Sequence, residues 1–214
     1  MQTTESLKRR IKSAGDLLSV VKTMKALAAV SIRQYQKAVE SLEDYNRTVE
    51  MGLQIVLKER MGATMQRKDA SIKRLGAIIF GSDQGLCGQL NEQIAVFALD
   101  DINGAGVKKE NRKVLAVGAR VADYVEDAGQ PVEELMTTPS STAGITPLVQ
   151  EIIMIIEEWH FRQNVDHFVL FYNDYISGSN YQPYKVQLLP VNRDWLKDIA
   201  RKKWDSKSLP IFRM

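Results

Sequence analysis

Residues 75–102, LGAIIFGSDQGLCGQLNEQIAVFALDDI, decide how this chain is built. The apolar run LGAIIF (75–80) is too short for an ordinary helix and is bounded by glycine, as a strand buried on both faces of a parallel sheet would be. After the loop GSDQGLCGQLN (81–91) comes EQIAVFALDDI, an amphipathic segment that Asn91 can cap and that ends near Asn103 and Gly104. Strand, glycine-rich loop and helix in that order open a βαβ unit.

The same alternation continues toward the carboxyl end. RKVLAVG (112–118) reads as a second strand and ARVADYVEDAG as a helix closed by Gly129. PVEELM (131–136) reads as an edge strand, since Pro131 removes a ladder donor at its start alone. ITPLVQEIIMIIEEWHF (145–161) is a third helix with Pro147 in its first turn, where a missing N–H costs little. DHFVLFY (166–172) and YKVQLLPV (184–191) are the last strands, joined by the long polar loop NDYISGSNYQP. The expectation for residues 75–192 is an α/β base domain: a mainly parallel, Rossmann-like sheet with helices on both faces, in three layers.

Toward the amino end the period changes. Residues 61–74, containing MGATMQRKDASIK, read as a polar connector, and residues 1–60 as one long helix. Leu7, Ile11, Ala14, Leu18, Val21, Met24, Ala28, Ile32, Tyr35, Val39, Leu42, Tyr45, Val49, Leu53 and Val56 follow one another in steps of three or four. The mean step of about 3.5 residues keeps this stripe facing one partner if the helix winds gently left-handed, as in a coiled coil. Gly15 and Gly52 are the only glycines before Gly62, and no proline precedes Pro131. At about 1.5 Å per residue such a helix is roughly 75 Å long, more than the remaining domain can cover. A seam of that length is not left in water, because each buried aliphatic side chain contributes about 1.5–3 kcal/mol. The stripe therefore calls for an outside partner.

Charge sharpens this. The formal net charge of +3 hides Lys8, Arg9, Arg10, Lys12, Lys22, Lys25, Arg33 and Lys37 crowded into the first 37 residues against Glu5 and Asp16. Residues 193–214 form a second basic segment. Basic ends favour acidic surfaces. A DNA-reading helix fits poorly, since the cations are spread along the helix and no base-contacting cluster precedes a separate zipper. No run approaches the roughly 18 apolar residues of a membrane span. MQTTESLKRRIKS lacks the apolar core of a secretory signal, and one cysteine allows no internal disulfide, so a reducing compartment is expected.

The loop does not spell a known phosphate cradle. Gly81, Gly85 and Gly88 give G-x-x-x-G-x-x-G, with no Lys-Ser or Lys-Thr after them and no acid at the end of the second strand, where Gly118-Ala119-Arg120 stands. A tight turn with close backbone packing is the expectation, and a nucleotide- or metabolite-binding protein with a helical oligomerisation arm is the alternative. Cys87 has neither a histidine beside it nor a C-x-x-C partner and reads as a small buried thiol. His160 and His167 lack metal-ligand spacing and read as structural; Asp100-Asp101, Glu133-Glu134 and Glu157-Glu158 read as solvated faces. Nothing assembles a nucleophile, base and oxyanion site, so no catalytic, cofactor or metal residues are expected.

IKSAGDLLSVVKTMKALAAVSIRQYQKA resembles the opening helix of the gamma subunit of F-type ATP synthases. GSDQGLCGQLN is similar to that family's S-D-R-G-L-C-G-x-L-N, with Gln84 where arginine is usual, and YNDYISG, LLPV and KKWD match later family segments in the right order. The resemblance implies a rotary central stalk without cofactor or active site. In the family the long helix pairs with a carboxy-terminal helix and enters the hexamer of alpha and beta subunits, while the α/β domain stands against the epsilon-type subunit and the membrane ring. Position by position, it implies that Met24, with Lys22, Lys25, Ala28 and Ile32, meets the catalytic hexamer. Ser82, Asp83, Gly85, Leu86, Cys87, Gly88 and Asn91 would form the base-domain motif, and Trp204 and Asp205 would lie near the ring and epsilon-type contacts. It implies no nucleic acid, and a peripheral place on the cytoplasmic face of a bacterial inner membrane. The family continues several dozen residues into a second shaft helix, whereas this chain stops at LPIFRM, so a fragment or a short relative is expected.

Overall fold

The computed structural model describes residues 4–60, 72–178 and 180–203. The first element, α1 (Thr4–Arg60), is one helix of 57 residues, about 85 Å at the standard rise. Five strands follow, β1 (Leu75–Phe80), β2 (Arg112–Val117), β3 (Glu134–Met136), β4 (His167–Ser177) and β5 (Asn180–Leu189), interleaved with α2 (Leu90–Gly104), α3 (Ala119–Asp127), α4 (Ile145–Gln163) and α5 (Arg193–Arg201). They form one sheet in the order β3-β2-β1-β4-β5. The pairs β1–β2, β1–β4 and β2–β3 are parallel, and β5 runs antiparallel to β4.

Alternation along each strand builds a layer on either side. Leu75, Ala77, Ile79, Val114, Ala116, Val169 and Phe171 face α2 and α3, meeting Ile94, Ala98, Ile102, Val121 and Val125. Ile78, Leu115, Val117 and Phe168 face the other way, onto Ile152, Ile156 and Trp159 of α4. The expected three-layer α/β domain is thus present. Its sheet is parallel except at the β5 edge.

Several expectations need correction. Asn91 does not cap α2: it lies inside the helix, buried, and Gln89 stands at the cap position with no side-chain bond to the helix backbone. Pro131 precedes the third strand, which is confined to Glu134–Met136. The long polar loop NDYISGSNYQP is mostly strand, because β4 runs on to Ser177 and pairs with β5 from Asn180 as a protruding hairpin. The basic segment after Val191 starts as a helix, α5, with the Asn192 side chain accepting from the Asp194 N–H at 2.8 Å. Each of the three acidic pairs has an ion-paired member: Asp101 pairs with Lys185 across to β5, Glu133 with Lys113, and Glu158 with Arg162 one turn on in α4. His160 and His167 sit in structural settings; burial depresses the His167 pKa, with Lys185 acting the same way and Asp166 and Asp101 opposing.

The placement of α1 matters most. Its carboxyl half lies against the domain: the buried Gln54 side chain donates to the Lys202 carbonyl, Lys202 Nζ meets Glu50 at 2.7 Å, and the Tyr35 hydroxyl donates to the Pro139 carbonyl at 3.3 Å. Pro139 follows β3, at the edge where the parallel strands end; α5 follows β5, at the edge where β4 begins. The helix therefore runs past the domain from one edge to the other. Residues 7–34 continue beyond the first of these edges and are exposed throughout. Among the described residues no helix is long and apolar enough to cross a membrane.

Candidate functional site

Two features meet at the edge where the parallel strands end: the loop between β1 and α2, and the free half of α1.

The loop is held by a network centred on Asp83. One carboxylate oxygen accepts from the Ala119 N–H at 2.8 Å, the first turn of α3, and the other accepts from the Thr138 N–H at 2.6 Å and its hydroxyl at 2.5 Å. Ser82 is tied to the buried Asn91: its N–H donates to Asn91 Oδ1 at 2.8 Å, and Asn91 Nδ2 donates to the Ser82 hydroxyl at 2.9 Å. Asn91 Nδ2 also reaches Cys87 Sγ at 3.2 Å. Cys87 is half-buried, so the expected buried thiol is instead a member of this network near the surface. The backbone closes the arrangement: the Arg120 N–H donates to the Ser82 carbonyl at 2.9 Å and the Gly81 N–H to the Val117 carbonyl at 2.8 Å.

Burial would raise the Asp83 pKa, but the bonds from the Thr138 hydroxyl and from the Ala119 and Thr138 N–H groups outweigh it and hold the carboxyl below the usual range. A carboxyl depressed in the folded state contributes stability that is present above its unfolded value near pH 4 and is lost as pH falls through the lower folded value. Asp83→Asn is expected to cost about 1–3 kcal/mol at neutral pH and to flatten the loss of stability below about pH 4. Urea titrations of both proteins between pH 3 and 7 check this; parallel pH profiles would contradict it.

At the start of α3 the Ala119 N–H is taken by Asp83 and the Arg120 N–H by the Ser82 carbonyl, so neither is left for an anion there. The glycines also divide their work differently from the expectation. Gly85 faces open space, whereas Gly118 adopts φ +116° and any Cβ there would come within 2.7 Å of Ser82 N. Gly88, at φ +63°, takes the left-handed turn. Leu86 takes φ 64° and is 92% exposed, a bulky residue held out from the tip of a bonded loop. Among the described residues no group of three or more His, Cys, Asp or Glu could hold a metal ion.

On α1, Met24 is 46% and Ile32 55% exposed, and Lys22, Lys25 and Ala28 are exposed beside them. Met24, Ala28 and Ile32 share a face at steps of four, with Lys25 beside it and Lys22 farther round the helix. A second apolar row went unread in the sequence: Leu17, Val20, Leu27 and Val30, in steps of three and seven, are all more than half exposed. Its signal was legible in LLSVVKTMKALAAVSI, which is apolar around most of the helix rather than along one stripe. Trp204 and Asp205 lie outside the described residues.

The described geometry has the shape of known relatives. A family model described as ATP synthase matches residues 3–211. The ATP synthase gamma chain of Nitrosomonas eutropha is 24% identical over 220 residues, covering 96% of this chain and 72% of that protein. The ATP synthase gamma chain of Desulforamulus reducens is 26% identical over 192 residues, covering 89% of this chain and 66% of that protein. The fold is shared with a chain of the central stalk and c-ring structure of Tetrahymena thermophila mitochondrial ATP synthase, at a TM-score of 0.56 and 16% identity, over 86% of this chain and 79% of that one. A family match across nearly the whole sequence, on a fold of base domain and projecting helix, establishes that the chain belongs to the ATP synthase family, among its gamma chains.

Proposed function

We propose that this chain acts as the non-catalytic central stalk of an F-type ATP synthase, coupling rotation of a membrane ion-translocating ring to ATP synthesis or hydrolysis. The observation that carries the reading is the free half of α1, residues 7–34, exposed throughout, with apolar side chains around most of its circumference between Leu17 and Ile32. A helix with one apolar stripe needs one neighbour; a helix apolar on two sides needs to be enclosed. The catalytic hexamer of alpha and beta subunits supplies that enclosure. Met24, Ala28 and Ile32 contact its apolar lining, and Lys22 and Lys25 meet acidic surfaces there.

The base domain, carrying the motif Ser82, Asp83, Gly85, Leu86, Cys87, Gly88 and Asn91, stands outside the hexamer against the epsilon-type subunit and the ring. Trp204 and Asp205 belong to that lower contact. The chain is peripheral, held through its partners on the cytoplasmic face of a bacterial inner membrane, and the translocated ion, proton or sodium, is selected in the ring. Rotation transmits work because a stiff, asymmetric helix offers each catalytic site a different contact in turn.

Two measurements test this. Co-expression with alpha and beta subunits is expected to yield a complex that retains the chain through size exclusion. Calorimetry of the isolated chain with ATP, ADP and NAD is expected to show no heat of binding. Micromolar binding of any of these, with no complex formed, would replace the stalk by the nucleotide-binding alternative.

A further inference from the structure

The hairpin of β4 and β5 outruns the rest of the sheet. Phe171 is the last residue of β4 paired with β1, and residues 172–177 run on with β5 alone. At about 3.3 Å per residue this carries the turn roughly 20 Å past the body of the sheet. The hairpin and the free half of α1 point the same way, because both leave the edge where the parallel strands end. They are not coaxial. The helix leaves beside Pro139, which follows β3, and in the order β3-β2-β1-β4-β5 the hairpin stands three strand spacings away, roughly 14 Å. A socket that closes on a helix about 10–12 Å across leaves the hairpin outside, against its rim.

The composition of the hairpin is that of an interface. No charged residue stands between Asp174 and Lys185, and three of the chain's seven tyrosines fall there. Tyr175 is 62% and Ile176 55% exposed. Depletion of charge with enrichment of tyrosine marks the centre of protein interfaces, whereas strands that stay in solvent are ordinarily guarded by charge. The rings are held in place beforehand: the Tyr175 hydroxyl accepts from the Gly178 N–H at 2.9 Å, and Tyr184 meets Tyr172 edge-on at 5.6 Å between centroids. Pro183 lies midway along β5. Proline sits in edge strands with its missing donor turned outward, so a second copy pairing edge to edge would meet a gap there. We propose that the tip of this hairpin, with Tyr175, Ile176 and Tyr181, is an off-axis docking surface for the rim of the hexamer of alpha and beta subunits. The inference rests on the stalk reading and adds a contact to it: as α1 turns in its socket, the hairpin sweeps the rim and meets successive subunits. An uncharged tip suits that motion, since no desolvated ion pair has to be broken at each step.

The test uses the complex of this chain with alpha and beta subunits, carrying the photo-crosslinker benzoylphenylalanine in turn at positions 24, 176 and 191. Val191 follows β5 at the opposite edge and is 45% exposed. Adducts with alpha or beta subunits are expected from positions 24 and 176 and not from 191. Ile176→Asp should weaken binding to the alpha and beta subunits about tenfold. Its side chain is exposed in the isolated chain, whose melting temperature should not change. Adducts from position 24 with none from 176 would overturn the hairpin contact and leave the stalk reading standing. Unchanged affinity in Ile176→Asp would do the same, and equal yields from 176 and 191 would reduce the contact to unspecific proximity and overturn it. Failure of the complex to form would overturn the stalk reading and the hairpin contact together.

Discussion

Gly118→Val is expected to leave little folded protein. At φ +116° a β-branched residue is strained by about 1–3 kcal/mol, and its Cβ would lie 2.7 Å from Ser82 N and 2.8 Å from Ser82 C and O. Those are backbone atoms, so no side chain can swing aside. Moving them pulls on the Arg120 N–H bond to the Ser82 carbonyl and on the Asp83 contacts to Ala119 and Thr138. A loss above about 4 kcal/mol would consume much of the roughly 5–15 kcal/mol that a domain has. Gly85→Val, in the same loop but facing open space, is expected to change stability by less than about 1 kcal/mol. Urea denaturation of the pair gives the comparison. Similar losses in both would mean that the loop is not held where the structure puts it.

Met24→Lys carries the largest functional effect. Met24 is 46% exposed on the projecting half of α1, so the isolated variant should melt with the wild type. Inside an apolar enclosure the same ammonium would be unpaired, at a cost of several kcal/mol. ATP-driven ion pumping by a reassembled complex should then fall at least tenfold, since every 1.4 kcal/mol is a factor of ten. Leu27→Lys, on the second row, separates the two forms of partner. It should be as damaging if the helix is enclosed, and nearly silent if one helix pairs with the first stripe alone. Unchanged pumping in Met24→Lys would remove that residue from the interface.

What could be read ahead of the structure followed burial. β1, β2 and the start of β4 are apolar because both faces are covered, and α2, α3 and α4 alternate with them at helical period. The hairpin escaped because strand periodicity is a burial signal, and from Asp174 to Gln182 both strands stand mostly in solvent with polar and apolar residues mixed. Asn91 was misplaced for a related reason. Asparagine before an amphipathic run is the usual sign of a cap, and its use here as a buried tie to Ser82 depends on a strand-end contact that no local pattern encodes. The helix α5 was hidden in a basic run, although Asn192 and the buried pair Ile199 and Ala200 give it a cap and an inward face.

The candidate site was legible in part. The loop's residues could be singled out from their resemblance to the family motif, whereas spacing alone marked only Gly81, Gly85 and Gly88, and Asp83 as the hub was in neither, because Thr138 lies far along the chain. On α1 the first stripe was traced and the second row was not, since a walk in steps of three and four stops at the first continuous seam. The second row changes the requirement from a neighbour to a socket.

The most direct test of this account is hydrogen exchange along α1, in the isolated chain at dilutions that exclude self-association and in the complex with alpha and beta subunits. Amides of residues 7–34 should exchange rapidly in the isolated chain while β1, β2 and β4 stay protected, and should gain protection of several orders of magnitude on assembly. Equal protection of residues 7–34 and the sheet in the dilute isolated chain would mean that the chain covers its own helix, and the stalk would have no need of a socket.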